Sequence, residues 1–323
     1  MKAAVLYEFG GTPRYEDFPD PKPDHDGFLV RVKAVALENF DKATAKGTHY
    51  SSREVYPGLP AIVGHSGVGT LADGSLVAFG GVSPPYGTMA EMAVVPQKYK
   101  MYIFPVPNGV DPTIAAAAPS SILTSLLPLK FTAKLQSGET VLVNGATGVS
   151  GKAAVQIAKM LGARRVVGTG RNEENLRRLV DLGADAVVDL KQSDEQVSRS
   201  FIQNAADGYD VVLDFLWGHP TELLLKTLVP KEAGFAIRRT RFVQIGESAG
   251  PVISLSAEML RTSGLEMGGA GNIPPEVLLE AVRQGWEWTK ESKVRVDVEK
   301  VSLRDIAEAW NRKTEGKRIV IVP

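Results

Sequence analysis

The sequence predicts a two-part α/β fold, a β-rich first third followed by a doubly wound parallel sheet, and three observations carry the prediction. At about 150 residues per domain, 323 residues make two domains. The first third sets short apolar runs, Ala3–Tyr7, Phe28–Ala36, Gly67–Leu71, Leu76–Phe79 and Met89–Val95, between Pro and Gly clusters, an all-β pattern. From Gly138 the pattern changes. Runs at Thr140–Val143, Arg165–Gly168, Ala186–Asp189, Asp210–Phe215 and Arg241–Ile245 alternate with helical segments, which specifies βαβ units and a parallel sheet.

The helices between these strands follow from spacing. Ala154, Ile157, Ala158 and Leu161 fall at i, i+3, i+4 and i+7, one apolar stripe to lay on a sheet, and Gly162 supplies the stop. Leu176, Leu179 and Val180 repeat the device, with Gly183 ending that helix. After Pro274 and Pro275 come an amphipathic helix to about Lys290, a strand Val294–Val301, a helix Ser302–Arg312 and a final strand Arg318–Val322. This tail reads as a return to the first domain. The expected boundaries are 1–118 for the β-rich domain, 119–289 for the parallel-sheet domain and 290–323 for the return.

Composition narrows the function. Thirty-seven basic residues balance thirty-seven acidic ones, so no net field draws the chain to nucleic acid or an anionic membrane. The absence of cysteine removes disulfides, thiolate nucleophiles and every Cys-based zinc site, and suits a reducing compartment. Met1–Leu6 is too short an apolar run for a secretion signal. The uncharged stretch Pro112–Leu129 is long enough to span a membrane but holds three prolines and five hydroxyl residues, and reads as a soluble helix or helix pair. A cytoplasmic protein without nucleic-acid or membrane partners is expected.

The most informative segment is Asn144, Gly145, Ala146, Thr147, Gly148, Val149, Ser150 and Gly151, set between a strand and a helix. Glycines there permit positive φ and let backbone N–H groups approach a pyrophosphate, whose charge the helix N-terminus stabilises. Strand before and helix after are the context that the dinucleotide fingerprint demands. A P-loop is the competing reading, on Gly145, Gly151, Lys152 and the acidic strand end at Asp214. It fails because five residues rather than four separate the glycines, and Ala153 stands where a hydroxyl must reach the metal.

About 20 residues past the glycines, a dinucleotide fold places Asp or Glu for the ribose of NAD, or Arg for the 2′-phosphate of NADP. This chain reads Gly168, Thr169, Gly170, Arg171, Asn172. Arg171 offers a planar fork to a phosphate, with Thr169 and Asn172 as donors beside it, so NADPH is the expected cofactor. The alternative is that Arg171 is a solvated residue near a helix start.

Metal-free site chemistry is the favoured reading. None of the eight tyrosines has Lys four residues on, which removes the Tyr–Lys solution to hydride transfer. The four histidines, at 25, 49, 65 and 219, are scattered, and His65 stands between Gly64 and Ser66 without an adjacent carboxylate. Gly246, Glu247 and Ser248 follow a strand and either contact the nicotinamide ribose or form an ordinary turn; Asn272, after Gly268, Gly269 and Gly271, has the same two readings. Arg238, Arg239 and Arg241 either assist a phosphate or form a solvated face.

Taken in order, these segments resemble the medium-chain dehydrogenase/reductase superfamily, within it the zinc-free quinone oxidoreductase and enoyl reductase branch, over essentially the whole chain. Met1–Val5 is similar to the family's first strand and Leu59–His65 to the entry of its core barrel. Ala115–Pro119 with Thr124 resembles the helix joining the two domains, Gly138–Gly151 the strand and glycine loop, Leu213–Phe215 with Gly218 a later nicotinamide-side turn, and Gly316–Val320 the closing strand. The resemblance implies a GroES-like β-rich catalytic domain, completed by the C-terminal strands, and a Rossmann domain, with the cofactor in the cleft between them.

It further implies a homodimer that passes hydride from NADPH to a quinone or to the activated C=C bond of a conjugated carbonyl compound. Carried over by position, Asn39, Asp41 and Tyr50 come near the nicotinamide, on the loop before Pro57, with Thr124 and Phe215 on the cofactor side. Tyr50 is the first candidate for the hydrogen bond or proton to the developing oxygen charge, because a phenol keeps its proton at neutral pH; its other reading is a packing residue at a loop tip. The family's Asn, Pro, x, Asp string is altered, with Glu38 at the Asn position and Asn39 at the Pro position. Two other readings stand beside this one: an alcohol dehydrogenase that acquires a metal through His65 and carboxylates, and a non-catalytic NADPH-binding or sensing protein.

Overall fold

The Pro and Gly punctuation of the first hundred residues sets out short strands in a computed structural model that describes residues 1–23, 27–205, 207–230, 234–236, 238–271 and 273–323. His25 and Asn272 lie outside the described residues. Along the chain come β1 (Lys2–Leu6), β2 (Arg14–Asp17), β3 (Phe28–Ala36), α1 (Asn39–Lys46), α2 (Ser52–Val55), β4 (Ala61–Ile62), β5 (Ser66–Thr70), β6 (Leu76–Gly80), β7 (Met92–Val95) and β8 (Ile103–Pro105). Helix α3 (Pro112–Leu127) leads to β9 (Thr140–Asn144), α4 (Val149–Met160), β10 (Arg165–Gly170), α5 (Glu173–Asp181), β11 (Ala186–Asp189), α6 (Asp194–Ala205), β12 (Val211–Asp214) and α7 (Gly218–Leu228). The remainder is β13 (Thr240–Gln244), α8 (Ala257–Thr262), β14 (Leu265–Gly269), α9 (Pro275–Lys290), β15 (Val298–Ser302), α10 (Ile306–Asn311) and β16 (Arg318–Val322).

The chain divides into two compact units, Met1–Ser120 with Trp286–Pro323, and Ser121–Gly285. In the first, a sheet of order β15-β16-β3-β5-β6-β8, with β7 also paired to β3, stands beside the small sheet β2-β1-β4. The tail belongs to this sheet because β16 pairs antiparallel with β3, Val320 against Ala36. Alternate residues Val30 and Val32 of β3 share one core with Phe79, Met89, Ile319 and Ile321, as the period of two requires.

In the second unit six parallel strands run in the order β11-β10-β9-β12-β13-β14. Counted from β9 this is 3-2-1-4-5-6, the Rossmann order, so the chain reverses its direction of growth at β9 and β12. All five residues of β9 are buried, which is how a parallel strand covered on both faces must read.

Several expectations need correction. Helices α1 and α2 interrupt the β-rich third; Glu38 and Asp41 supply the capping box that starts α1, and Gly47 at φ +81° ends it. Helix α4 is buried from Gly151 through Ala158 rather than along one stripe, because its small side chains let the sheet and other elements close on it from several sides. Val180 is 55% exposed, so the buried face of α5 rests on Asn175, Leu176 and Leu179. Strands β2, β4, β8 and β14 were not foreseen; β14, reading Leu-Glu-Met-Gly-Gly, lacks the β-branched signal and takes its conformation from the pairing with β13. The stretch Pro112–Thr132 is helical and apolar enough in length and composition to cross a membrane, yet half of its most apolar window is buried within the protein.

Candidate active site

The nucleotide-side geometry begins at the carboxyl end of β9. Gly145 takes φ +90°, and a Cβ there would sit 2.8 Å from the Leu216 side chain. A Cβ on Gly151 would lie 2.4 Å from the Gly145 carbonyl oxygen and 2.6 Å from Cα of Ala146, so only glycine lets α4 start this close to the loop. Gly148 is the N-cap of α4, and its carbonyl accepts the N–H of Lys152 at 2.9 Å. The N–H groups of Val149, Ser150 and Gly151 are the first-turn donors that a helix leaves for an outside acceptor. Lys152 is itself buried in α4, away from the P-loop role.

Two residues expected to meet the cofactor turn inward instead. Asn144 is fully buried; its Nδ2 donates to Asp214 Oδ1 at 2.9 Å and its Oδ1 accepts the Thr169 hydroxyl at 2.8 Å. Thr169, also fully buried, accepts the Gly145 N–H at its hydroxyl (2.9 Å) and the Ala146 N–H at its carbonyl (2.8 Å). Thr169 is therefore not a donor beside a phosphate: it ties the ends of β9 and β10 together and fixes the glycine loop. Asp214 completes the network, accepting the Thr221 hydroxyl at 2.7 Å and the N–H groups of Leu216 and Trp217. Burial raises the Asp214 pKa, with those hydrogen bonds opposing the shift. The chain after Asp214 is thus held in a tight turn, with Trp217 at φ +56°.

Arg171 and Asn172 leave β10 at the outer edge of this loop. Asn172 caps α5, its Oδ1 accepting the Asn175 N–H at 2.9 Å. Arg171 is exposed and makes no ion pair among the described residues, whereas Glu173 and Glu174 just beyond it are paired with Arg177 and Arg178. Arg238, Arg239 and Arg241 are paired with Asp210, Glu266 and Glu139 at the amino ends of the strands, away from the glycine loop. Thr124, Glu247 and Ser248 are exposed. Gly246 packs so near the Phe215 carbonyl that a Cβ would stand 2.7 Å from it, and that carbonyl accepts the Ser248 hydroxyl at 3.1 Å. A cavity of about 470 Å³ opens at the ends of β13 and β14, lined by Trp217, Gln244, Glu247, Pro251, Met267, Gly268 and Gly269.

The β-rich unit holds a separate polar cluster. Asn39 is exposed on the first turn of α1 rather than on a loop, and Tyr50 is 96% exposed, its ring tilted over His49 at 4.1 Å. Asp41 is buried, and its Oδ2 accepts the Glu38 N–H at 2.9 Å. Gly64 at φ +97° turns the chain so that His65 meets Asp41, Nδ1 to Oδ1 at 2.7 Å, while Nε2 lies 3.6 Å from Glu38 Oε2. The carboxylates missing beside His65 in sequence are thus supplied from 24 and 27 positions away. Glu38 also accepts the Ser120 hydroxyl and faces Arg318 Nη2 at 3.8 Å. Burial pulls the His65 pKa down, but the Asp41 charge and hydrogen bond, with the Glu38 charge, outweigh it and hold the group at about 9. Tyr56, buried beside Asp41, has its pKa raised by burial and then by that charge.

Asp41 and Glu38 face opposite nitrogens of the His65 ring, and among the described residues no group of three His, Cys, Asp or Glu side chains is arranged to hold an ion.

Fold and glycine loop together define a dinucleotide-binding oxidoreductase architecture: a Rossmann sheet and a β-rich unit closed by the C-terminal strand. The family described as "Zinc-binding dehydrogenase" matches residues 150–232. A quinone oxidoreductase of Pseudomonas aeruginosa is 28% identical over 77% of this chain and 74% of its own length. A protein of Sulfolobus acidocaldarius described as an NAD-dependent alcohol dehydrogenase is 26% identical over 98% of this chain and 97% of its own. The crystal structure of the quinone oxidoreductase from Thermus thermophilus, a protein also solved with NADPH, superposes with a TM-score of 0.76 at 27% identity over the full length of both chains. In sequence and fold the chain is thus similar to quinone oxidoreductases of the medium-chain dehydrogenase/reductase superfamily.

Proposed function

We propose that the protein is an NADPH-dependent reductase that delivers hydride to a quinone or to the activated C=C bond of an α,β-unsaturated carbonyl compound, without a metal. The observation that carries the reading is the glycine loop at the start of α4, followed just past the next strand by an exposed arginine that makes no ion pair among the described residues, with no acidic residue in its place. NADPH, when bound, supplies the hydride. Gly145, Ala146, Thr147, Gly148, Val149, Ser150 and Gly151 would receive the pyrophosphate, Arg171 with the Asn172 amide the 2′-phosphate, and Thr124, Phe215 and Gly246–Ser248 the nicotinamide half. Asn144 and Thr169 hold that loop in shape from below.

On the acceptor side, Asn39 and the Tyr50 hydroxyl are proposed to orient the substrate and hydrogen-bond its oxygen, with Asp41 as a positioning residue. The branch also suggests a homodimer. The relative named as an alcohol dehydrogenase supports a second reading, oxidation of an alcohol; against it stands that no group of three His, Cys, Asp or Glu side chains among the described residues is arranged to hold an ion. Spectroscopic assay of NADPH consumption with 9,10-phenanthrenequinone and with an α,β-unsaturated aldehyde tests the reading. Turnover of at least one supports it, and NADPH binding without any turnover would point to a sensor.

A further inference from the structure

Three fully buried polar side chains of the second unit form a hydrogen-bonded relay that ends on the glycine loop. Asp214 closes β12, Asn144 closes β9 and Thr169 stands one residue from the end of β10, so adjacent parallel strands bring them side by side at the carboxyl edge of the sheet. Asp214 Oδ1 accepts the N–H of Leu216 at 3.1 Å and that of Trp217 at 3.3 Å. That oxygen is therefore fixed as an acceptor, and the third group facing it has to donate.

This requirement decides the next two bonds. The Asn144 amide turns its NH2 to Asp214, 2.9 Å away, because the reverse orientation would set its carbonyl oxygen against a carboxyl oxygen in a site without water. Its Oδ1 is left to take the Thr169 hydroxyl hydrogen at 2.8 Å. With that hydrogen committed, the Thr169 hydroxyl oxygen accepts the Gly145 N–H at 2.9 Å, and the Thr169 carbonyl accepts the Ala146 N–H at 2.8 Å. Both N–H groups point into the sheet, so the outward donors are the first-turn amides of α4. Asp214 also acts from the other side of the loop. The turn that it holds seats the Leu216 side chain against Gly145, 2.8 Å from where a Cβ would stand, and the Asp214 carbonyl accepts the N–H groups of Ile245 at 2.8 Å and Gly246 at 3.1 Å. One residue thereby ties together the ends of β9, β10, β12 and β13.

We propose that Asp214 is the positioning residue of the dinucleotide site: by setting the direction of the Asn144 and Thr169 hydrogen bonds, it draws the Gly145 and Ala146 N–H groups inward and gives the loop the shape that presents the first turn of α4 to the pyrophosphate. This deepens the reading of the loop as the NADPH site and rests on it. Asp214 is fully buried and acts through Asn144 and Thr169 rather than by contact with the cofactor. The pyrophosphate is common to NADPH and NADH, so the relay governs the affinity of both, whereas Arg171 governs the phosphorylated cofactor alone. A purely structural network would behave otherwise, lowering the melting temperature when cut and leaving the affinity of the folded protein as it was.

The test is cofactor binding by the full chain, read as nicotinamide fluorescence well below the melting temperature of each variant. Thr169→Val keeps the side-chain shape and removes the hydroxyl; it should weaken NADPH and NADH alike, each about 10-fold. Thr169→Ser restores the hydroxyl and should bind both within about threefold of wild type. Asp214→Ala should weaken both by at least about 10-fold, and the double variant with Thr169→Val should lose no more than Asp214→Ala alone, since both substitutions cut one relay. If Asp214→Ala does not fold, the two Thr169 variants decide. Wild-type affinity in Thr169→Val, a loss confined to NADPH, no recovery in Thr169→Ser, or losses that add in the double variant would each overturn the proposal while leaving the loop as the NADPH site. A wild-type protein that binds neither cofactor overturns both.

Discussion

Replacing Arg171 by Ala asks the sharpest question about the cofactor. The side chain is exposed and has no carboxylate partner among the described residues, and the two glutamates that follow it are paired with Arg177 and Arg178. Its loss should therefore cost the native fold almost nothing, within about 0.5 kcal/mol. A hydrogen bond between charged groups contributes about 1.5–3 kcal/mol, and exposure favours the lower part of that range. A loss of about 1.5–2 kcal/mol is about a 10- to 30-fold weaker NADPH complex. NADH lacks the 2′-phosphate and should bind within about twofold of wild type. Arg171→Lys keeps the charge without the planar fork and should fall between. Titrating the nicotinamide fluorescence of both cofactors at low and high salt reads all of this, the wild-type preference shrinking as salt screens the pair. Equal losses for NADPH and NADH, or no loss for either, would refute the assignment.

Gly151→Ala should destabilise the second unit by about 2–4 kcal/mol, since the new methyl meets backbone atoms at 2.4 and 2.6 Å that cannot rotate away; a thermal melt unchanged from wild type would contradict the packing. Tyr50→Phe should slow hydride transfer about 3- to 10-fold with NADPH affinity and stability unchanged, because the side chain is 96% exposed; an unchanged single-turnover rate removes it from the site. His65 should also make stability depend on pH. Its folded pKa, about 9, lies above the ordinary 6.5, so its contribution is complete below pH 6.5 and is lost as pH rises through 9. With 37% of the side chain open, screening leaves on the order of 1 kcal/mol, read as a drop in urea midpoint that His65→Gln abolishes. Exhaustive chelation should leave turnover unchanged; lost activity restored by a divalent ion would favour the metal-dependent reading.

The parallel sheet was legible because its information is local. Buried β-branched runs, helices closed by glycine and the loop from Asn144 to Gly151 are each written in a few consecutive residues, and the strand order follows from right-handed crossovers. What sequence does not carry is direction and distance. Asn144 and Thr169 have the residue types of cofactor contacts, but hydrogen bonds to Asp214 and to the loop backbone draw both inward. His65 reads as solitary until β4, β5 and α1 fold together and bring Asp41 and Glu38 to its two nitrogens. One signal was available: acidic residues at Glu38 and Asp41, three apart after a strand, are a helix start, and finding α1 would have turned Asp41 toward the core. β14 was hidden for the opposite reason, since its pairing with β13 rather than its own composition makes it a strand.

Isotope transfer tests the central claim most directly. NADPH carrying deuterium at C4, prepared separately on each face of the ring, is consumed with an α,β-unsaturated aldehyde in ordinary water and the product is weighed. The account predicts that one of the two preparations yields saturated aldehyde heavier by one deuterium at the β-carbon, one per NADPH consumed. Product without label from either preparation, or NADPH that binds and is never oxidised, would contradict it.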